Sequence, residues 1–216
     1  MKRSTKKIIK PCVLGLFPVP IYVAFLNRKF SKQEAKTIQK LTLTYVPNQG
    51  NDTSKNNYIL EVKELKKLKL ELENILQDYI KKIYDPVTDI KGYITQSWLN
   101  VAKKGDYHHK HAHPNSFLSG IIYFKADKKF DKIFFESTNY RFFKPDMKTF
   151  NIFNSDSWWL PVETGKILIF PANAPHAVHT KEENHSRISL SFNTFSNELG
   201  SNEALSYASW QTNVND

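Results

Sequence analysis

The chain has 216 residues, 40% of them apolar, which suits one domain with its own core. No apolar run reaches the ~18–20 residues of a membrane-crossing helix, and a single cysteine, Cys12, excludes an intramolecular disulfide. The formal charge of +10 could draw a polyanion, yet the lysines are spread along the chain with no nucleic-acid motif beside them, so a solvated basic surface is the expectation.

Residues 1–10 hold five Lys or Arg and read as a basic flexible tail. A leader peptide is not expected from the apolar stretch behind them, because Pro11, Pro18 and Pro20 interrupt it and no small-residue cleavage site follows. The lone cysteine suits a reducing cytoplasm. Residues 16–26 (LFPVPIYVAFL) predict an edge strand punctuated by proline. Ser31-x-x-Glu34 has the form of a capping box and starts a helix over about 31–43. Residues 46–57 read as a polar loop. Leu65, Leu68, Leu72, Leu76, Tyr79 and Ile83 recur at three- and four-residue steps, which predicts a helix over about 60–84 lying on the outside of a sheet.

Short strands follow. Tyr93–Val101 alternates, with Gln96, Trp98 and Asn100 opposed to Ser97, Leu99 and Val101. Further strands are expected at Phe117–Phe124, Ile133–Phe135, near Phe150–Phe153, and at Lys166–Phe170, Ala177–Thr180 and Arg187–Phe195. Many short strands between turn signals suggest a sandwich or barrel of jelly-roll type, mainly β with flanking helices. Residues 11–200 form the expected domain and 201–216 a C-terminal extension. The segment 137–164 is rich in aromatics, which suits core packing or a lid.

All seven histidines fall between residues 108 and 185, four of them within HHKHAH. In extended backbone, residues i and i+2 point the same way, so His111 and His113 can aim two imidazoles at one point. A neighbouring strand could bring His176 to the same place. Three ligands on one face leave other metal positions open. In SRISLSFNTF, Ile188, Leu190 and Phe192 alternate with Arg187, Ser189, Ser191 and Asn193. In a barrel, that polar side can line a cavity, where Arg187 offers a bidentate fork to a carboxylate and Ser189 adds a hydroxyl.

Three pieces, SWLNVAKKGDYHHKHAHPNSFLSGIIYF, GKILIFPANAPHAVH and RISLSFN, resemble the Fe(II)/2-oxoglutarate-dependent oxygenase superfamily. The resemblance is nearest to an oxygenase group of marine bacteria and their phages, distantly like prolyl 4-hydroxylases. It implies a double-stranded β-helix (jelly roll, cupin-like) that uses Fe(II), 2-oxoglutarate and O2. The implied reaction hydroxylates a peptidyl residue such as proline, or a small molecule, and decarboxylates 2-oxoglutarate to succinate. It implies a metal site of His111, His113 and His176, with Arg187 holding the distal carboxylate of 2-oxoglutarate. The chain departs from the usual His-x-Asp or His-x-Glu by carrying His111-Ala112-His113, and Asp106 is a carboxylate outside the expected motif. Strand parity adds Ser189, Trp98, Asn100 and Tyr123 as cosubstrate-binding residues, with Gln96 and Asn193 near them. The implied location is the cytoplasm, of the host if the protein is viral. The competing readings are a cupin-type metalloenzyme that does not use 2-oxoglutarate and a non-catalytic jelly-roll binding module. Nucleic-acid binding is not favoured.

Overall fold

Two apolar rows on opposite faces of the same strands organise the molecule. In β9 (Lys166–Pro171), Ile167 and Ile169 belong to one core and Leu168 and Phe170 to another. A strand covered on both sides reads as a continuous apolar run, as KILIF does. The computed structural model describes residues 12–139 and 142–198; the expected basic tail and C-terminal extension lie outside the described residues.

The covered strands form a seven-stranded antiparallel sheet. Its order is β1 (Tyr22–Phe25), β9, β6 (Leu118–Lys125), β11 (Arg187–Ser196), β4 (Gly92–Ala102), β3 (Asn51–Ser54) and β2 (Tyr45–Asn48). A second sheet has the order β5 (His108–His111), β10 (His176–Val178), β7 (Lys132–Glu136) and β8 (Ser157–Pro161). The chain passes repeatedly between the two sheets, giving a mainly β double-stranded β-helix, or jelly roll.

Helix α2 (Lys66–Ile83) buries Leu68, Leu72, Leu76, Tyr79 and Ile80 on the outer face of the large sheet, against Leu99, Leu118, Ile122, Leu190 and Phe192. Two 3-10 turns, Ile59–Glu61 and Lys63–Leu65, lead into it. Helix α1 (Lys32–Leu41) starts at Ser31 with both hydrogen bonds of the capping box in place. Between the sheets a second core holds Ile121, Tyr123, Ile133, Val162, Leu168 and Phe170. None of the described helices is long and apolar enough to cross a membrane.

Four expectations need correction. The edge strand near the start covers only Tyr22–Phe25, because the prolines at 18 and 20 lack the N–H that a ladder needs. The polar loop at 46–57 contains the hairpin β2–β3, turning at Gly50, whose φ of 85° suits glycine. Residues 150–153 form a turn rather than a strand, and the strand lies later, at Ser157–Pro161. Of the two expectations for the aromatics of 137–164, core packing or a lid, core packing does not hold for Phe142, Phe143 and Phe150, which are largely exposed.

Candidate metal and cosubstrate site

Strands β5 and β10 pair antiparallel with His176 directly opposite His111. His113 lies just beyond β5, where its backbone N–H donates to the Ala172 carbonyl at 2.8 Å. Each of these three histidines offers one ring nitrogen, and the three atoms lie within 4.8 Å of one another. His113 Nε2 and His176 Nε2 are 3.4 Å apart.

The other ring nitrogens are anchored. His111 Nδ1 lies 2.8 Å from the His109 carbonyl oxygen and His176 Nδ1 lies 3.0 Å from that of Ala174. An Nδ1–H at each position donates to its carbonyl and leaves the Nε2 lone pair for a metal. Burial pushes His176 down to about 3 and His113 down to about 4, and it lowers His111 too. The imidazoles are therefore neutral near pH 7, the form that ligates. This donor set fits a divalent transition-metal ion with open positions. Asp106 stays outside it: its carboxylate accepts from the Lys103 backbone N–H at 2.7 Å and closes a turn.

A narrow cavity runs from His111 and His176 between the sheets to Arg187, with Tyr123, Ser189, Trp98 and Asn100 along its walls. Sheet parity accounts for this. Leu190 and Phe192 turn to the helix side, so Arg187, Ser189 and Ser191 turn inward, all of them buried. Gln96 and Asn193 do not line the cavity; they meet each other near a register shift between β11 and β4.

The cavity walls are polar in an uneven way. Asn100 is fully engaged, accepting from Asn51 Nδ2 at 3.3 Å and donating to Ser191 Oγ at 3.0 Å. Among the described residues, the Tyr123 hydroxyl, the Ser189 hydroxyl and the Arg187 guanidinium make no hydrogen bond to the protein. Burial pushes the Tyr123 phenol up, so it stays a neutral donor. The nearest countercharge to Arg187 is Asp131, at 3.6 Å. That carboxylate also holds Lys181 at 3.1 Å and His185 at 2.9 Å. Two buried cations thus share one buried carboxylate, and Glu183 is a half-buried second partner for Lys181. Such a cavity suits an anion with several acceptor oxygens.

Two polar lining residues escape the sequence reading. Asn51 sits on the hairpin taken for a loop. His108 should face away from His111 by simple parity, but the β5–β10 register shifts between the pairs His176↔His111 and Val178↔His108. That bulge turns His108 onto the same side, where its ring stacks on His111 with centroids 4.4 Å apart. Of the remaining histidines, His179 stacks on Phe134 and His185 pairs with Asp131.

A wider cleft, of about 700 Å³, lies beside the histidines. Phe17, Pro18, Pro20, Ile152, Phe153 and Trp158 wall it, with Pro175 immediately before His176 at its edge. The polar atoms of Glu136, Thr138 and Asn173 interrupt the apolar surface.

Comparison with known proteins agrees with this geometry. Residues 96–193 match a family model described as "Putative 2OG-Fe(II) oxygenase". Solved structures share the fold. One is a 2OG-Fe(II) oxygenase family oxidoreductase from Burkholderia pseudomallei, with 13% identity, 80% of this chain and 83% of that one covered, and a TM-score of 0.53. Another is HygX from Streptomyces hygroscopicus, solved with nickel, 2-oxoglutarate and hygromycin B, with 11% identity, 82% of each chain and a TM-score of 0.54. A third is a prolyl-4-hydroxylase from Pseudomonas putida, with 10% identity, 81% and 92% covered and a TM-score of 0.51. No curated protein matches the chain by sequence. The family match spans both histidine groups and Arg187, so over residues 96–193 the chain is similar to the 2-oxoglutarate- and Fe(II)-dependent oxygenases, and it shares the jelly-roll fold of the solved structures.

Proposed function

We propose that His111, His113 and His176 hold the Fe(II), that Arg187 and Ser189 hold the distal carboxylate of 2-oxoglutarate, and that the enzyme hydroxylates a residue within a peptide. Tyr123 adds a hydroxyl donor at the cosubstrate; Trp98 and Asn100 shape its wall. The observation that carries the reading is the set of buried donors without a hydrogen bond to the protein, among the described residues, in a cavity also lined by His111 and His176, whose ring nitrogens converge with that of His113. Three neutral ligands leave the 2+ charge of the metal uncompensated, and a dicarboxylate cosubstrate supplies the missing negative charge. The anchored Nδ1–H groups fix the ring orientations before metal arrives.

When bound, iron with O2 supplies the oxidising step: one oxygen atom enters succinate as 2-oxoglutarate loses CO2, and the other enters a substrate C–H bond. The protein's part is to position both reactants and to keep bulk water from them. The cleft, which reaches Pro175 next to His176, is mainly apolar and interrupted by polar groups, which suits a peptide with an apolar side chain next to the reacting residue.

The test is succinate release by the iron-loaded protein with ascorbate, 2-oxoglutarate and a panel of synthetic peptides that centre Pro, Asn, Asp or Lys between apolar residues. Stimulated succinate release and a 16-Da gain on one peptide are expected. Metal-dependent 2-oxoglutarate turnover that every peptide leaves unchanged, while amino sugars or free amino acids stimulate it, would replace the peptide assignment. The absence of any turnover with every substrate class would overturn the site assignment itself.

A further inference from the structure

His108 stands apart from the three converging imidazoles in how it reaches the site. It enters through the bulge in β5, and nothing in the sequence alternation requires its presence there. Bulges of this kind re-aim a single side chain, and they recur beside active sites. The consequence is a further imidazole on the cavity wall besides His111 and His176, stacked on His111 at an interplanar angle of 27° and lining the same space as Arg187, Tyr123 and Ser189.

Three features argue against a structural role. The His108 ring is not part of the group whose nitrogens converge within ligating distance of one another. Among the described residues, neither ring nitrogen makes a hydrogen bond to the protein. The backbone pairing of His108 with Val178 would hold any residue type, so strand formation alone does not ask for an imidazole. A large, half-buried ring with an unused N–H, placed on the path between a metal position and an arginine, is suited to a ligand that spans the two.

We propose that His108 is a positioning residue for 2-oxoglutarate, its ring N–H donating a hydrogen bond to a carboxylate oxygen of the bound cosubstrate while its face rests on His111. The inference rests on the cosubstrate site proposed above. It adds a donor from the small sheet to those that Arg187, Ser189 and Tyr123 bring from the large one. The cosubstrate is then gripped from both sheets along its length.

The test uses the full chain loaded anaerobically with Fe(II), or with Mn(II) as a redox-silent probe. 2-Oxoglutarate affinity is measured by titration calorimetry and by the visible charge-transfer band of the Fe(II) complex. His108→Phe keeps the stacked ring and removes the donor; His108→Asn restores a donor on a smaller side chain. Circular dichroism and thermal melts confirm that both variants fold. His108→Phe should raise the 2-oxoglutarate Kd about tenfold, as expected for a hydrogen bond to a charged group, and leave Mn(II) affinity within about twofold. His108→Asn should recover part of the loss. Unchanged cosubstrate affinity in His108→Phe, in a background where the unaltered protein binds 2-oxoglutarate only with metal, overturns the role of His108 alone. Parallel loss of Mn(II) binding in His108→Phe also overturns it, because the residue would then act on the metal set. Failure of the unaltered, metal-loaded protein to bind 2-oxoglutarate instead defeats the site assignment beneath it.

Discussion

Arg187 and Asp131 face each other across 3.6 Å in the interior, and neither makes a direct hydrogen bond to the other. Asp131 spends its lone pairs on the Asp127 backbone N–H, Lys181 and His185. Its charge therefore steadies the guanidinium without occupying the donor fork. Asp131→Asn should weaken 2-oxoglutarate binding, seen as a raised KM for it, and change kcat less. The variant also leaves Lys181 with Glu183 as its countercharge among the described residues and the His185 ring nitrogen at 3.0 Å, which should cost stability toward the lower end of about 3–5 kcal/mol. Asp131→Asn combined with Lys181→Met should recover much of that stability without recovering KM. A KM that follows stability through both variants would refute the steadying role.

Metal should stabilise the fold by mass action. At a free metal concentration about 100-fold above Kd, Mn(II) or Zn(II) should add about 2.7 kcal/mol. A thermal melt with and without metal, reversed by a chelator, checks this. His176→Ala should abolish the shift, whereas His179→Ala, whose ring stacks on Phe134, should leave it intact.

Acid should expose two buried ion-paired carboxyls. Burial alone would raise Asp131 and Glu34. The Asp127 N–H, His185 and Lys181 outweigh it at Asp131, and Arg28 with the Ser31 N–H outweighs it at Glu34, so both sit below their ordinary values. A depressed folded value gives stability that is fully present above the unfolded pKa, about 4 for these groups. It is lost as pH falls through the lower, folded value. Urea melts from pH 7 to 3 should show stability falling from about pH 6.5, where unfolded histidines take up protons that buried His113 and His176 refuse, and falling further below about pH 4, with a shallower fall in that lower range in Glu34→Gln.

Packing under the cavity leaves no room at Gly120. A Cβ there would stand 2.1 Å from the ring of Phe192, which is fully buried. Gly120→Ala should destabilise by about 1–3 kcal/mol through overpacking. Adding Phe192→Leu should return part of that loss, so a double-mutant cycle on melting curves would show a favourable coupling.

The legible parts of this fold are those with a periodic signal. The Ser31-x-x-Glu34 box marks the start of α1, and the leucine ladder marks α2, because capping and helical spacing are local chemistry. The alternation in β11 separates Leu190 and Phe192 from Arg187 and Ser189. The hairpin β2–β3 is illegible because NDTS carries no apolar face; pairing with β4 holds it, and the sequence does not display that pairing. The misplaced strand near 150–153 has a related cause. Aromatic content there suggested burial, yet Phe150 and Ile152 face outward. His108 is hidden for a third reason: a bulge breaks the two-residue rule from which its direction would be read.

In the proposed site, the residues assigned to the two ends of the cosubstrate belong to different layers. His111 and His176 come from β5 and β10 in the small sheet, with His113 just beyond β5, and Arg187, Ser189 and Tyr123 come from β6 and β11 in the large one. A bound dicarboxylate thus acts as a strut whose fixed length gauges the gap between layers. Substitutions deep under the large sheet, far from any polar atom of the site, can then detune affinity by altering that gap alone. By the same reasoning, hydrogen exchange in β5 and β10 should slow when the strut is in place, although none of its atoms bonds to their backbone.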